Sequence, residues 1–342
     1  MKILVTGNLG YIGTVLSEFL INKGHEVIGY DAGFFEKTNL CECKQIHHQI
    51  YKDIRQVDKD DFEDIDTIVF LSALSNDPLG EFNPSITNNI NFSTSVKFIK
   101  MAFKCDVKKV VFVSSQSMYG VSPTDDELEE DSPHINPITE YAKAKYLAEQ
   151  ELKSLASDQF TITFLRPSTV FGASPRFRSD IVFNNFVACA YLLNKIEILS
   201  DGSPWRPILH IQDMCNAIFA SINAPRELIN GEAFNVGVPN GNYTVKQIAE
   251  AAQKAVPGSK LVFLSQHSDP RTYRVSFKKI LTVLKDYYKP SWDLKKGAEE
   301  MIKFFDQVNF SNEDFRGTKT IRINQIKKLI SSGKLSSDLV WK

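Results

Sequence analysis

An α/β fold, a doubly wound parallel sheet with a smaller C-terminal α+β lobe, is predicted by three observations. Short β-branched runs suited to buried parallel strands recur along the first half of the chain, among them KILVT, VVFV and TITFLRP. Helical stretches alternate with them, the pattern of a parallel sheet with crossover helices. The stretch from 2 to 31, KILVTGNLGYIGTVLSEFLINKGHEVIGYD, reads as strand, glycine turn, helix, strand and terminal acid.

That first unit organises the rest. Lys2 to Thr6 is the strand, and Tyr11 to Lys23 carries Ile12, Val15, Leu16, Phe19 and Leu20 at helical spacing. Gly7, Gly10 and Gly13 form a G-x-x-G-x-x-G turn between them. The first permits the tight turn, the second lets backbone approach a pyrophosphate, and the third lets helix and strand pack closely. The helix N-terminus, with Tyr11 and Ile12, then faces the phosphates with free N–H groups and a partial positive charge. Asp31 follows about 20 residues on, where a carboxylate accepts hydrogen bonds from an adenosine ribose. A carboxylate there repels a 2′-phosphate and no Arg follows directly, so NAD is expected rather than NADP, in a Rossmann-type domain.

Next comes a strand-like QIHHQIY ahead of Asp53, whose side chain can reach an adenine, then an acidic DKDDFEDID that reads as a solvated helix end. Thr67 to Leu71 is the fourth strand. Its polar continuation SALSNDP, with Ala73 and Ser75, lies at the carboxyl edge of the sheet, where ligands bind in such folds. A helix is expected from near Pro84 through Asn89 to about Lys104. The strand Lys109 to Ser115 delivers Ser114 and Ser115 to the same edge, and an acidic, proline-containing loop follows. From Ile138 to Asp158 a helix carries Tyr141 and Lys145 one turn apart on one face. A sixth strand ends at Arg166 and Pro167. Beyond it the pattern gives a loop from Phe171 to Asp180, an apolar helix from Ile181 to Asn194, a strand ahead of Asp213, the helix MCNAIFASIN, the strand FNVGV, the amphipathic TVKQIAEAAQKA and the strand KLVFLS. The expected division is a cofactor-binding domain over 1–166, to which 206–238 returns, and a substrate lobe from 167–205 and 239–342.

A formal net charge of −1 over 342 residues excludes an electrostatic footprint for nucleic acid or an anionic membrane, so any anion must be met by local groups. No apolar stretch approaches the ~20 residues needed to span a bilayer, and the N-terminus opens directly in a strand, so a cytoplasmic protein is expected. Five cysteines, an odd number, suit reduced thiols. Cys41, Cys43, His47 and His48 crowd together, but C-x-C is not a usual zinc spacing and adjacent histidines on a strand point to opposite faces, so no metal is expected.

Ser115, Tyr141 and Lys145 are the catalytic candidates. A phenol with pKa near 10 is a poor base at pH 7 until nearby positive charge stabilises its phenolate, which Lys145 and an oxidised nicotinamide would supply. Tyr141 can then take the proton of a substrate hydroxyl while Ser115 hydrogen-bonds the same oxygen and Lys145 also holds the nicotinamide ribose.

The ordered set TGNLGYIG, Asp31, KDI, SSQSMYG, YAKAK and RPILHIQD resembles the extended short-chain dehydrogenase/reductase family, the NAD-dependent nucleotide-sugar epimerases and dehydratases, over nearly the whole chain. The resemblance implies that Asp53 and Ile54 contact adenine, that Leu71, Ala73, Leu74, Asn89, Ser114 and Pro167 line the cofactor, and that Ser115 joins Tyr141 and Lys145. It implies diphosphate-binding arginines at Arg206 and Arg271, with Ser75, Gln116, Arg176 and Arg178 as further substrate contacts. In the 4,6-dehydratases an Asp-Glu pair follows the residue matching Ser115; here Gln116 and Ser117 stand there, against dehydration. Thr169 replaces a family Asn. The segment TVFGASPRFRSDIVFNNF resembles enzymes of nucleotide-linked hexoses and heptoses, including C4 dehydrogenases of GDP-heptose. The expected activity is oxidation of a ring hydroxyl, at C4, of a nucleotide-diphosphate sugar for surface polysaccharides, as a dehydrogenase or an epimerase. A 4-keto reductase and a catalytically silent dinucleotide sensor remain as alternatives. A homodimer through the helices at 84–104 and 138–158 is implied, with Phe98, Ile99 and Phe103 compatible with that contact and equally with packing on the sheet.

Overall fold

The computed structural model describes residues 1–75, 77–122, 126–264 and 272–342. Seven strands form one sheet: β1 (Lys2–Thr6), β2 (Glu26–Asp31), β3 (His48–Tyr51), β4 (Thr67–Phe70), β5 (Lys109–Val113), β6 (Thr161–Pro167) and β7 (Ala233–Val236). Their spatial order is β7-β6-β5-β4-β1-β2-β3, with every pairing parallel. Strand order reverses at β1 and β4, so the connections leaving these two strands diverge and a crevice opens at their carboxyl ends.

Alternation along each strand feeds two cores. Ile3 and Val5 of β1, Val69 of β4 and Val111 of β5 pack on one face with the helix Ile211–Asn223. Leu4, Ile68, Phe70 and Phe112 pack on the other with the helix Ser95–Lys104. Phe98 and Ile99 of that helix are fully buried against the sheet, so they are core residues and not dimer contacts; Phe103 of the same helix and Leu147 of the helix Glu140–Lys153 are exposed, at 39% and 42%.

The helix expected without interruption over 84–104 comes in three pieces: Pro84–Asn88, a π-helical turn Asn89–Thr94, and Ser95–Lys104. Asn83 caps it, accepting from the Ile86 amide at 3.2 Å with Pro84 at the first position. A π turn inserts a residue into the helical register. The helix bearing Tyr141 runs Glu140–Lys153, with Thr139 accepting from the Ala142 amide at 3.3 Å and Glu140 in its first turn.

Beyond β6, Trp205–His210 pairs in parallel with Thr169–Phe171 and antiparallel with Asn242–Thr244, while Lys195–Ile198 pairs with Lys260–Phe263. A third, phenylalanine-rich core joins Phe171, Phe177, Phe183, Phe305, Phe310 and Phe315. The helix Arg322–Ser331 and the segment after it return to the loop following β2. Gln325 Nε2 donates to the Phe34 carbonyl at 3.2 Å, Trp341 Nε1 to the Ala32 carbonyl at 2.6 Å, and Ile326 and Leu335 enter the core with Leu4 and Ile28. Among the described residues no helix is long and apolar enough to cross a membrane.

Candidate active site

The carboxyl ends of β1, β4, β5 and β6 open on a cavity of about 1170 Å³. Every cofactor-side candidate named above except Asn89 lines it. The glycine turn has the shape a dinucleotide requires. Gly7 sits at φ +73°, and a Cβ there would meet the Ser72 amide at 3.0 Å; a Cβ on Gly13 would lie 2.2 Å from the Gly7 carbonyl. Thr6 Oγ1 accepts from the Leu71 and Ser72 amides, both at 3.2 Å, joining the ends of β1 and β4. Asp31 accepts from the Gly33 amide at 2.8 Å and the Leu9 amide at 3.3 Å, which ties the turn to the end of β2. Burial raises the Asp31 carboxyl pKa, and those two amides oppose the rise. A ribose hydroxyl entering here meets a desolvated acceptor, so the residues fit the adenosine half of NAD.

Asp53 lines the cavity but its carboxylate is taken by Arg55, with Nε 3.1 Å from both oxygens and Nη2 2.7 Å from Oδ2; Ile54 supplies the apolar contact beside it. Asn89 is a correction. It is exposed, because the π turn directs Ile90 to the cavity and Asn91 inward. Asn91 is the asparagine that shapes the site, accepting from the Leu74 amide at 2.8 Å and donating to the Leu74 carbonyl at 3.1 Å.

At the other end, Ser115, Tyr141 and Lys145 line the same cavity wall. Lys145 is 2% exposed, donates to the Val113 carbonyl at 2.8 Å and lies 5.0 Å from the Phe112 ring centroid. Burial alone lowers its pKa to about 7. Ser115 Oγ accepts from the Ser117 amide at 3.1 Å. Another tyrosine of the cavity, Tyr11, donates to the Gly172 carbonyl at 2.8 Å and receives Asn184 Nδ2 at 3.2 Å; burial pushes its pKa far up, so it stays a phenol and does not compete as a base.

The lysine pKa has a measurable consequence. An unfolded lysine keeps its proton to pH ~10.4, whereas folded Lys145 releases it above about 7. Between those values the unfolded state binds more protons, so this group makes stability rise with pH. In cofactor-free protein the stability of Lys145→Met relative to wild type is therefore expected to be greatest near pH 6.5 and to shrink by pH 9. Denaturant midpoints at both values check this, and a constant difference would remove the desolvated ammonium as the cause.

Of the substrate-side candidates, Ser75, Ser115, Arg178 and Arg206 line the cavity. Arg178 is matched by Asp180, with Nε–Oδ1 and Nη2–Oδ2 both at 2.9 Å, and donates to Ser75 Oγ at 3.3 Å. Arg206 donates to the Trp205 carbonyl at 2.8 Å. Arg271 lies outside the described residues. Gln116 is a second correction: it does not line the cavity, is 1% exposed, and donates beneath the strand ends to the Arg166 carbonyl at 2.9 Å and the Val236 carbonyl at 3.3 Å. Arg176 is buried behind the glycine turn, its Nε 3.0 Å from the Leu9 carbonyl. Sequence reasoning missed Phe34, Phe35, Asp180, Arg316 and Arg322, all in the lining. Arg316 and Arg322 come from the C-terminal quarter, where no spacing tied them to the glycine turn.

Comparison with known proteins gives a consistent neighbourhood. The model of the NAD dependent epimerase/dehydratase family matches residues 3–237. The UDP-glucose 4-epimerase of Bacillus subtilis is 25% identical over 354 residues, covering 94% of this chain and 99% of that protein. The UDP-glucuronate 4-epimerase of Thermodesulfobacterium geofontis is 26% identical over 341 residues, with the same coverage of 94% and 99%. The structure of UDP-glucuronic acid 4-epimerase from Bacillus cereus, in complex with UDP-glucuronic acid and NAD, superposes with TM-score 0.75 at 23% identity, covering 90% of this chain and all of that one.

Proposed function

The chain belongs to the NAD-dependent epimerase/dehydratase family, and from that premise we propose that it oxidises the C4 hydroxyl of a UDP-linked sugar as the first half of a 4-epimerisation. The observation that carries this reading is the placement of Tyr141, Lys145 and Ser115 on the wall of the cavity that also holds the glycine turn. Gly7, Gly10, Gly13 and Asp31 would hold the adenosine and diphosphate of NAD, and Lys145 its nicotinamide ribose. When bound, NAD supplies the hydride acceptor for C4 and, for epimerisation, the donor that returns hydride to the opposite face.

The chain's own residues manage the proton. Tyr141 takes it from the C4 hydroxyl, and Ser115 hydrogen-bonds the same oxygen, so the developing carbonyl keeps a donor on it throughout. Lys145, one turn along the helix, favours the phenolate when protonated. Elimination of water would need an acid and a base beside Ser115. Gln116 carries no titratable group and is turned under the sheet, which supports oxidation without dehydration. The UDP assignment rests on the names of the relatives at 25% and 26% identity.

Incubation with NAD and a panel of UDP-, GDP-, dTDP- and CDP-sugars tests the reading, with products resolved by mass and proton NMR. The expected product is an isomer of unchanged mass without net NADH. A keto sugar with stoichiometric NADH would make the protein a dehydrogenase, a product lighter by water would refute the reading of Gln116, and silence across the panel would leave only dinucleotide binding. Arg206 is proposed to meet the sugar nucleotide's diphosphate with its planar fork. Arg206→Ala is expected to raise KM about 10-fold or more with kcat little changed, the signature of lost uniform binding. An unchanged KM would refute the role.

A further inference from the structure

An imidazole–carboxylate pair lies outside the cavity lining, among residues that the mechanism above does not use. His210, 1% exposed, ends the strand Trp205–His210, and its Nδ1 accepts from the Gln212 amide at 3.3 Å to cap the helix Ile211–Asn223. With Nδ1 an acceptor, the ring carries a proton on Nε2, which donates to Glu300 Oε2 at 2.8 Å. The ring stacks on Trp292, with centroids 3.8 Å apart, and meets Phe171 edge to face at 5.2 Å. Two glycines leave the room it needs. A Cβ on Gly172, at φ +126°, would lie 2.6 Å from His210 Nε2, and one on Gly297 would lie 3.1 Å from its Cδ2. Glu300, from the helix Leu294–Gln307, accepts with the same oxygen from the Ala173 amide at 3.1 Å. One carboxylate oxygen therefore joins the strand end at 210, that helix and the loop after Phe171.

The loop held in this way reaches two walls of the cavity. On one side of Ala173 the Gly172 carbonyl accepts from the Tyr11 hydroxyl, and on the other Ser174 Oγ donates to the Tyr11 carbonyl at 2.9 Å. Tyr11, the first residue of the helix after the glycine turn, is thus gripped at both its hydroxyl and its backbone. Asn184 accepts from the Gly172 amide at 3.0 Å and donates to the Arg178 carbonyl at 2.9 Å, and Arg178 lines the cavity beside Ser75 and Asp180. A shift at Ala173 would move Tyr11 and Arg178 together. We propose that His210 and Glu300 are a positioning pair for the reaction: by fixing the Ala173 amide they set the glycine turn, which seats the dinucleotide, against Arg178 on the sugar-nucleotide side. The inference rests on the reading of the cavity given above and extends it to two residues that line no part of it. Hydrogen bonds to a carboxylate are about twice as strong as those between neutral groups, which suits Glu300 to hold a loop at a single amide. Ser115, Tyr141 and Lys145 stand on other elements, so the pair acts on binding and leaves the proton transfer to them.

The test measures calorimetric NAD affinity, KM and kcat for the sugar nucleotide that the panel identifies, and denaturant midpoints, for wild type, Glu300→Ala, Glu300→Gln and Glu300→Asp. Glu300→Ala removes both bonds and is expected to weaken NAD about 10-fold and to raise KM by a similar factor, with kcat within about 2-fold of wild type. Glu300→Gln keeps an acceptor oxygen at the same reach and is expected to hold NAD affinity and KM within about 3-fold of wild type. That rescue separates a held loop from a required charge. Should Glu300→Ala not fold, Glu300→Asp keeps the charge but withdraws it by one methylene, and the same paired loss is expected of it. A lowered midpoint with NAD affinity unchanged would make the pair a stabilising contact and overturn the inference. A loss in Glu300→Gln equal to that in Glu300→Ala, or a fall in kcat alone, would overturn it too. A wild-type protein that binds no NAD would instead overturn the cofactor reading beneath it.

Discussion

Tyr141→Phe is expected to lower turnover by about 10² or more while NAD binding persists, the scale of a positioned acid/base group. The substitution removes one oxygen from a side chain at the first turn of a capped helix, and leaves in place Lys145, Ser115 and the glycine turn that line the same cavity. Its readouts are therefore separable. Turnover of the sugar nucleotide reports the proton transfer, and calorimetric NAD affinity reports the integrity of the cavity. Unchanged turnover would strike Tyr141 from the mechanism and advance the silent-sensor reading, because a protein that only binds dinucleotide has no chemical use for the phenol. Loss of both quantities would assign Tyr141 to packing.

The second large effect is structural. Glu149 lies on the same helix face as Tyr141 and Lys145, at successive intervals of four residues, and is 2% exposed. It forms a forked ion pair with Arg166 of β6, with Nε 3.1 Å from both carboxylate oxygens and Nη2 also donating to Oε1. Arg166 continues to Tyr119 Oη at 3.0 Å and the Glu130 carbonyl at 2.8 Å. Burial acts to lower the arginine's pKa, but Glu149 and Tyr119 outweigh it and the net direction is up. Glu149→Gln keeps the shape and leaves a buried guanidinium unpaired, so a loss of roughly 3 kcal/mol in unfolding free energy is expected. A double variant, Glu149→Leu with Arg166→Met, is expected to recover part of it, since replacing both charges removes the desolvation cost as well. A single variant as stable as wild type would show that the pair contributes nothing net.

Much of this was legible because the informative signals are local. A glycine turn, the acid at Asp31 and a four-residue spacing between Tyr141 and Lys145 each lie within one element and its immediate neighbour, where backbone geometry dictates the residue. The misreadings arise where a local rule meets a tertiary event. Asn89 was one register position from its expected place because the π turn Asn89–Thr94 shifts the helix, and no propensity marks such a turn. The resemblance makes Gln116 a substrate contact, but two carbonyls from β6 and β7 claim its amide. Phe98 and Ile99 suit a sheet or a partner helix equally, and packing decided. Arg322 meets Thr38 across 284 residues of chain, a distance at which spacing carries no information.

The contacts around the glycine turn also bear on how such an enzyme can be rebuilt. Tyr11 reaches the Gly172 carbonyl, Thr14 Oγ1 lies 3.1 Å from Ser174 Oγ, Asn184 grips the Tyr11 hydroxyl, and Arg176 holds Leu9. The first turn of the helix Tyr11–Asn22 is thus stitched to the loop that follows β6. Modularity is what these stitches remove: a chimera that exchanged the chain beyond β6 with a relative would need Tyr11 and Thr14 to travel with residues 172–184, or the glycine turn would be seated against a mismatched wall. Recombination breakpoints at the end of β6 cut through one working surface, so new specificities are better sought by changing side chains around Arg178, Arg206 and Arg316 than by swapping halves.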